Sequence, residues 1–127
     1  MLGRGRDPLG PEGERCAEAF LKAAGYRVLG RNVRVRIGEA DLICESPDRE
    51  AIVVVEVKAR RMKPGRDRAA VPPERSVTRA KRRRLVAVAN WLARANDWTS
   101  RTVRIDVVAI EWPMAGGEPT IRHYRGV

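Results

Sequence analysis

Glu39-Ala40-Asp41-Leu42-Ile43 and Val53-Val54-Val55-Glu56-Val57-Lys58, separated by a turn signal at Ser46-Pro47-Asp48, read as two strands of one hairpin. An apolar run destined for a buried strand has no packing reason to carry an acid and then a base two residues later. Period-two geometry puts Glu56 and Lys58 on one face with Ile52 and Val54, while Val53, Val55 and Val57 fill the other. A turn centred between Asp48 and Arg49 makes residues whose numbers sum to 97 face each other. Cys44 then pairs with Val53, Ile43 with Val54, Asp41 with Glu56, and Glu39 with Lys58. Directly opposed side chains have Cβ atoms about 4.5 to 5.5 Å apart, where two carboxylates repel, so a positive group is expected between Asp41 and Glu56. Hard carboxylate oxygens with no Cys or His nearby suit Mg²⁺ or Mn²⁺, and Lys58 adds a movable cation. The competing reading is a surface hairpin in which Lys58 neutralises Glu56 and Asp41 is a solvated strand end.

Charge sharpens the choice. The chain of 127 residues carries a net charge of +10, from 26 basic and 16 acidic residues. Between Lys58 and Arg84 there are 12 Lys and Arg against Asp67 and Glu74, which leaves 14 of each sign elsewhere. A neutral body with one strongly basic stretch is the footprint of a phosphate-backbone binder, and the stretch begins at the candidate metal site. Arginine dominates it, as suits planar recognition of phosphate. Length predicts a single domain over residues 11–127 behind a flexible tail over residues 1–10. No apolar run approaches a membrane span, and the basic start lacks the apolar region of a secretory signal, so a cytoplasmic protein without membrane partners is expected. Cys16 and Cys44 are too few for a disulfide framework and read as buried thiols.

Residues 12–24 read as a helix, with Ala17, Phe20, Leu21 and Ala24 on its apolar stripe and Gly25 as its stop. Glu14 in its first turn is accounted for by the helix dipole. Strands are expected over residues 26–37, 39–45 and 52–58, an antiparallel three-strand meander. Residues 60–73, rich in Arg, Pro and Gly, read as a loop able to order on a polyanion. A helix follows over residues 76–95, with Leu85, Val88, Ala89 and Leu92 on one face. Lys81, one turn before Leu85, falls on the buried side, either as a snorkelling lysine or in a site. Arg79, Arg82 and Arg83 point outward towards phosphate. Strands over residues 102–110 and 120–124 complete an α/β fold, a central mixed sheet flanked by helices. Trp98, Trp112 and Tyr124 are assigned to packing rather than base stacking, Asp106 to an arginine partner, and His123 to a structural role.

With these segments in view, the chain resembles the YraN family of small bacterial endonuclease-like proteins, within the PD-(D/E)xK nuclease superfamily. The matching segments are Gly10-x-x-Gly13-Glu14-x-x-Ala17, Gly25-Tyr26, Arg31-Asn32, Gly38-Glu39-Ala40-Asp41-Leu42, Val55-Glu56-Val57-Lys58-x-Arg60, Lys81 with Leu85, Asp106-Val107-Val108 and Ile121-x-His123. The resemblance implies a restriction-endonuclease-like core in which Asp41 and Glu56 bind Mg²⁺ or Mn²⁺ and Lys58 is the signature lysine. It also implies that Glu14 holds the metal directly or through water. The chain departs from the family pattern at Ala40, at Arg82 and at its Arg125-Gly126-Val127 ending.

The function expected is metal-dependent phosphodiester hydrolysis of DNA, including branched or structured DNA, with Asp41, Glu56 and the Val57 carbonyl on the metal. Arg60, Arg61, Lys63, Arg66, Arg68, Arg79, Lys81, Arg82 and Arg83 are expected on the nucleic-acid backbone. Cutting both strands of a duplex needs two sites, hence a homodimer. The alternative is a non-catalytic nucleic-acid-binding module that assists other DNA-processing proteins, and RNA is the other substrate class.

Overall fold

The computed structural model describes residues 9–62 and 77–127. Helix α1 (Leu9–Ala23) leads to strand β1 (Arg27–Val35), followed by β2 (Gly38–Glu45) and β3 (Ala51–Arg61). Helix α2 (Arg79–Ala95) carries the chain across to β4 (Thr102–Trp112), and β5 (Thr120–Tyr124) ends the sheet. The sheet order is β1-β2-β3-β4-β5, antiparallel throughout except where β4 lies parallel to β3. This is the mixed α/β architecture expected from the sequence, with the three-strand meander first and one helix on each face.

The glycine stop of α1 works through its backbone. Gly25 sits at φ +96, its N–H donates to Lys22 O at 3.0 Å, and the Tyr26 N–H donates to Leu21 O at 2.9 Å. That pair of bonds satisfies the last carbonyls of the helix and turns the chain towards β1.

β3 divides the interior as its alternation requires. Val53 and Val55 pack with Ala17, Leu21, Leu42 and Cys44 on the α1 side. Ile52 and Val54 pack with Ile43, Leu85, Val88 and Ala89 on the α2 side. A strand covered on both faces has no solvent side, so its sequence is a near-continuous apolar run. Glu56 and Lys58 continue the α2 face. Trp112 is buried in the first cluster and Trp98 packs against the second, as their assignment to packing anticipates.

Among the boundaries that differ from expectation, three matter here. α1 starts at Leu9, so residues 9 and 10, expected in the tail, are helical. α2 starts at Arg79 rather than residue 76 because Thr78 caps it, its side chain accepting the Lys81 N–H at 3.1 Å. β3 runs on through Arg61, which places Arg60 and Arg61 in a strand rather than the expected loop. The parallel partner supplies the reason: β4 pairs with β3 as far as Arg61 opposite Trp112, and Glu111 binds the Arg60 guanidinium at 2.7 Å.

Candidate functional site

The hairpin ladder holds the expected register and then stops where the acids begin. Glu45 pairs with Ile52, Cys44 with Val53, Ile43 with Val54 and Leu42 with Val55. Continued, it would set Asp41 against Glu56 and Ala40 against Val57. Instead the Val57 N–H donates to Asp41 Oδ2 at 2.8 Å, so a side chain takes the place of the Ala40 carbonyl. The N–H and C=O of a strand residue point to the same neighbour, so the Val57 carbonyl also faces the gap beyond the ladder.

β2 is interrupted at this point. Ala40 packs on the α2 side and Leu42 on the α1 side, although regular alternation would put them together. On β1 the same change separates Val33, on the α2 side, from Arg31, which binds Glu18 of α1 at 2.5 and 2.6 Å. Between them stands Asn32, at φ +46. Asp41 and Asn32 thus lie where the two strands change face, and Asp41 is released from the ladder to bond with its side chain.

Glu56 is buried and receives two cations. Lys81 Nζ of α2 donates to its Oε1 at 3.1 Å, and Lys58 Nζ stands 4.0 Å from the same oxygen. Burial first, then the charge on Glu56, raises the Asp41 carboxyl from 3.8 to about 6. The Val57 N–H and Lys81 work against that rise, and the Glu14 carboxylate adds to it. Asp41, Glu56, Lys58 and Lys81 therefore form one electrostatic unit, with Glu14 within reach of its field. Glu14 is brought there by Gly13, which lets α1 approach β3 so closely that a Cβ on it would lie 2.6 Å from Ala59 Cβ.

Among the described residues no group of three or more His, Cys, Asp and Glu side chains is placed to hold a metal ion. The donors offered are two carboxylates and the outward-facing Val57 carbonyl. Such a set suits Mg²⁺, which keeps most of its waters and takes only one or two carboxylates.

The remaining residues expected in the site divide into three groups. Lys63, Arg66 and Arg68 lie outside the described residues. Arg60 is held by Glu111, and Arg82 donates from Nε to Val127 O at 3.0 Å. Arg61, Arg79 and Arg83 are exposed.

A second polar cluster spans the far part of the sheet. The fully buried Asp106 accepts two bonds from Arg104 at 2.9 Å, one from the Gly126 N–H at 3.0 Å, and lies 2.7 Å from His123 Nε2. Arg104 also donates to the Tyr26 hydroxyl at 2.6 Å. Burial would raise the Asp106 carboxyl, but its bonds from His123, Arg104 and Gly126 outweigh that and hold it below the ordinary range. The arginine partner expected for Asp106 is Arg104, and His123, edge-on to Phe20 and Tyr26, is part of this packing. Reading the sequence links Lys81 to the buried side of its helix but not to Glu56, 25 residues away; no local pattern carries that contact.

Residues 13–110 match the profile of Uncharacterised protein family UPF0102. The chain is 41% identical over 122 residues to a UPF0102 protein of Anaeromyxobacter dehalogenans, covering 96% of this chain and 84% of that one. It is 42% identical over 125 residues to one from Beutenbergia cavernae, covering 98% of each. Against the Symbiobacterium thermophilum protein STH1475 identity is 47% over 104 residues, 81% of each chain. Among solved structures, SfsA of Pyrococcus furiosus in complex with Ca²⁺ superposes with a TM-score of 0.37 at 14% identity, over 94% of this chain and 64% of that one.

Proposed function

Taking as premise that this chain belongs to the family UPF0102, we propose that it is a metal-dependent nuclease that hydrolyses phosphodiester bonds of DNA. The observation that carries the reading is the end of the β2–β3 ladder. There Asp41 leaves the ladder to face a buried Glu56, and two lysines converge on Glu56 from different elements. Charge held this way on a sheet end, beside a strongly basic segment, has no packing purpose.

Asp41, Glu56 and the Val57 carbonyl would hold Mg²⁺ or Mn²⁺, with Glu14 reaching it through water. Bound there, the ion supplies Lewis-acid activation of water and neutralises charge on the scissile phosphate. The chain's own groups do the rest. Lys81 fixes the Glu56 carboxylate by its hydrogen bond, so that the acceptor oxygens are oriented before substrate arrives. Lys58, half-exposed and only loosely tied to Glu56, is free to swing onto a phosphate oxygen and stabilise the charge that develops as water attacks phosphorus and the bond to the leaving sugar oxygen breaks. Exposed Arg79 and Arg83 hold the backbone without reading bases.

The test is cleavage of a labelled panel of branched, single-stranded and duplex DNA with Mg²⁺ or Mn²⁺, wild type against Asp41→Ala. Cleavage that disappears in the variant and in chelator is the expected result. Cleavage retained by Asp41→Ala would sink the mechanism.

A further inference from the structure

Helix α2 carries six basic residues and no acidic one in its 17 positions, and its outer flank combines two features. First, it gathers exposed arginines with no acid beside them: Arg83, Arg84 and Arg94 meet no carboxylate among the described residues. Second, the flank displays an aromatic ring. Trp91 is 47% exposed and is packed against neither core cluster.

The helix geometry aligns these groups with the site. Arg84 and Trp91 are one heptad apart and so lie within about 20° of each other around the helix. Arg94, three residues on, neighbours Trp91, and Arg84 is three residues beyond Lys81, whose amine touches Glu56. From Lys81 to Trp91 the rise is about 15 Å. That is the reach of about four nucleotides at stacked spacing, and fewer if the strand is extended. The β1–β2 turn lies alongside: a Cβ on Gly38 would meet Val88 Cγ2 at 3.3 Å and Arg84 Cβ at 4.0 Å, and the adjoining Ile37 is exposed.

Unpaired cations alternating with a half-bare indole are the two components of a single-strand platform: arginines track the phosphates and the ring stacks an unpaired base. A duplex keeps its bases in the stack and gives the ring nothing to meet. We propose that this flank of α2 binds an unpaired stretch of nucleic acid leading away from the Asp41–Glu56 site, with Trp91 stacking a base a few nucleotides from the scissile phosphate. The substrate class is then a nucleic acid with a single-stranded segment next to the cut, such as a flap or a gapped branch, and the proposal rests on the nuclease reading above.

The test measures binding in EDTA, where cleavage plays no part. Fluorescence anisotropy compares a labelled oligothymidylate with a duplex of equal length for wild type, Trp91→Ala, Trp91→Phe and Arg84→Ala. Trp91→Ala is expected to weaken single-strand binding roughly ten-fold while leaving duplex binding unchanged, and Trp91→Phe to restore most of the loss. Arg84→Ala should weaken both and flatten the salt dependence by about 0.7 in slope on the single strand. Trp91→Ala binding the single strand as wild type does, or losing both ligands equally, would overturn the platform and leave the nuclease reading standing. So would a loss of self-association in Trp91→Ala with single-strand binding intact, which would make the flank a contact between copies of the chain. Wild type that binds neither ligand would overturn both readings together.

Discussion

Two opposing influences meet at Asp41. Its carboxylate accepts the Val57 N–H, which favours the charged form, while burial and the neighbouring Glu56 favour the neutral one and prevail, raising it to about 6. An acid raised in the fold stabilises the protein through its protonated form. That contribution is complete below about pH 3.9 and is lost as the pH rises through about 6. Asp41→Asn keeps an acceptor for Val57 and removes the charge, so in EDTA it should stabilise the protein by on the order of 2 kcal/mol at pH 7. The gain should fade as the pH is lowered towards 4, a trend that urea unfolding at several pH values would reveal or deny. Divalent metal should reverse the order. Wild type is expected to gain about 2.7 kcal/mol at a hundred-fold excess of Mg²⁺ over its Kd, and Asp41→Asn little or none. A thermal shift equal in both proteins would remove Asp41 from the metal site.

At the scale of elements, the site depends on how closely α1 lies on β3. Gly13 faces Ala59 and Val57, and a methyl there would lie 2.6 Å from the Ala59 Cβ, closer than such atoms approach. Gly13→Ala should therefore lift the start of α1 away from the strand and cost about 1 to 3 kcal/mol in denaturant unfolding. Because Glu14 is the next residue, the same variant should lose more cleavage than its lost stability explains when assayed well below its melting temperature. Cleavage at the wild-type rate would mean that Glu14 has no part in the chemistry. β2 makes the parallel case: its change of face at Asp41 is what frees that side chain from the ladder.

Across the whole molecule, the Asp106 cluster joins β4, β5, Tyr26 just ahead of β1 and the segment at Gly126 through one buried carboxylate. Asp106→Ala would leave Arg104 and His123 facing a cavity, and a loss of about 3 kcal/mol or more is expected from thermal or urea unfolding. The pH sign here is opposite to that of Asp41. A depressed carboxylate contributes stability above its unfolded value near 3.9 that is lost as the pH falls through its lower folded value, so wild type should unfold in acid and Asp106→Ala should show a shallower acid transition. The uneven charge has its own consequence. Nucleic-acid affinity should fall steeply with salt, and each of Arg79→Ala and Arg83→Ala should reduce the slope by about one, uniformly across sequences. An unchanged slope would place the backbone contacts elsewhere. Strand alternation, the turn at Asp48 and Arg49, the Gly25 stop and the concentration of arginine are local patterns. From them alone came the two helices, the hairpin register as far as Leu42 opposite Val55, the face shared by Glu56 and Lys58, and the acid pair itself. Other features did not come from local pattern: the break in the ladder at Asp41, the extension of β3 to Arg61, the capture of Arg60 by Glu111 and the arrival of Lys81 at Glu56. The break follows the change of face that β2 makes together with β1. The other three are decided by a segment distant in the chain that arrives through the parallel β3–α2–β4 crossover or by the packing of a helix on the sheet, and a contact made only when the chain closes on itself leaves no periodic trace in the residues that will make it.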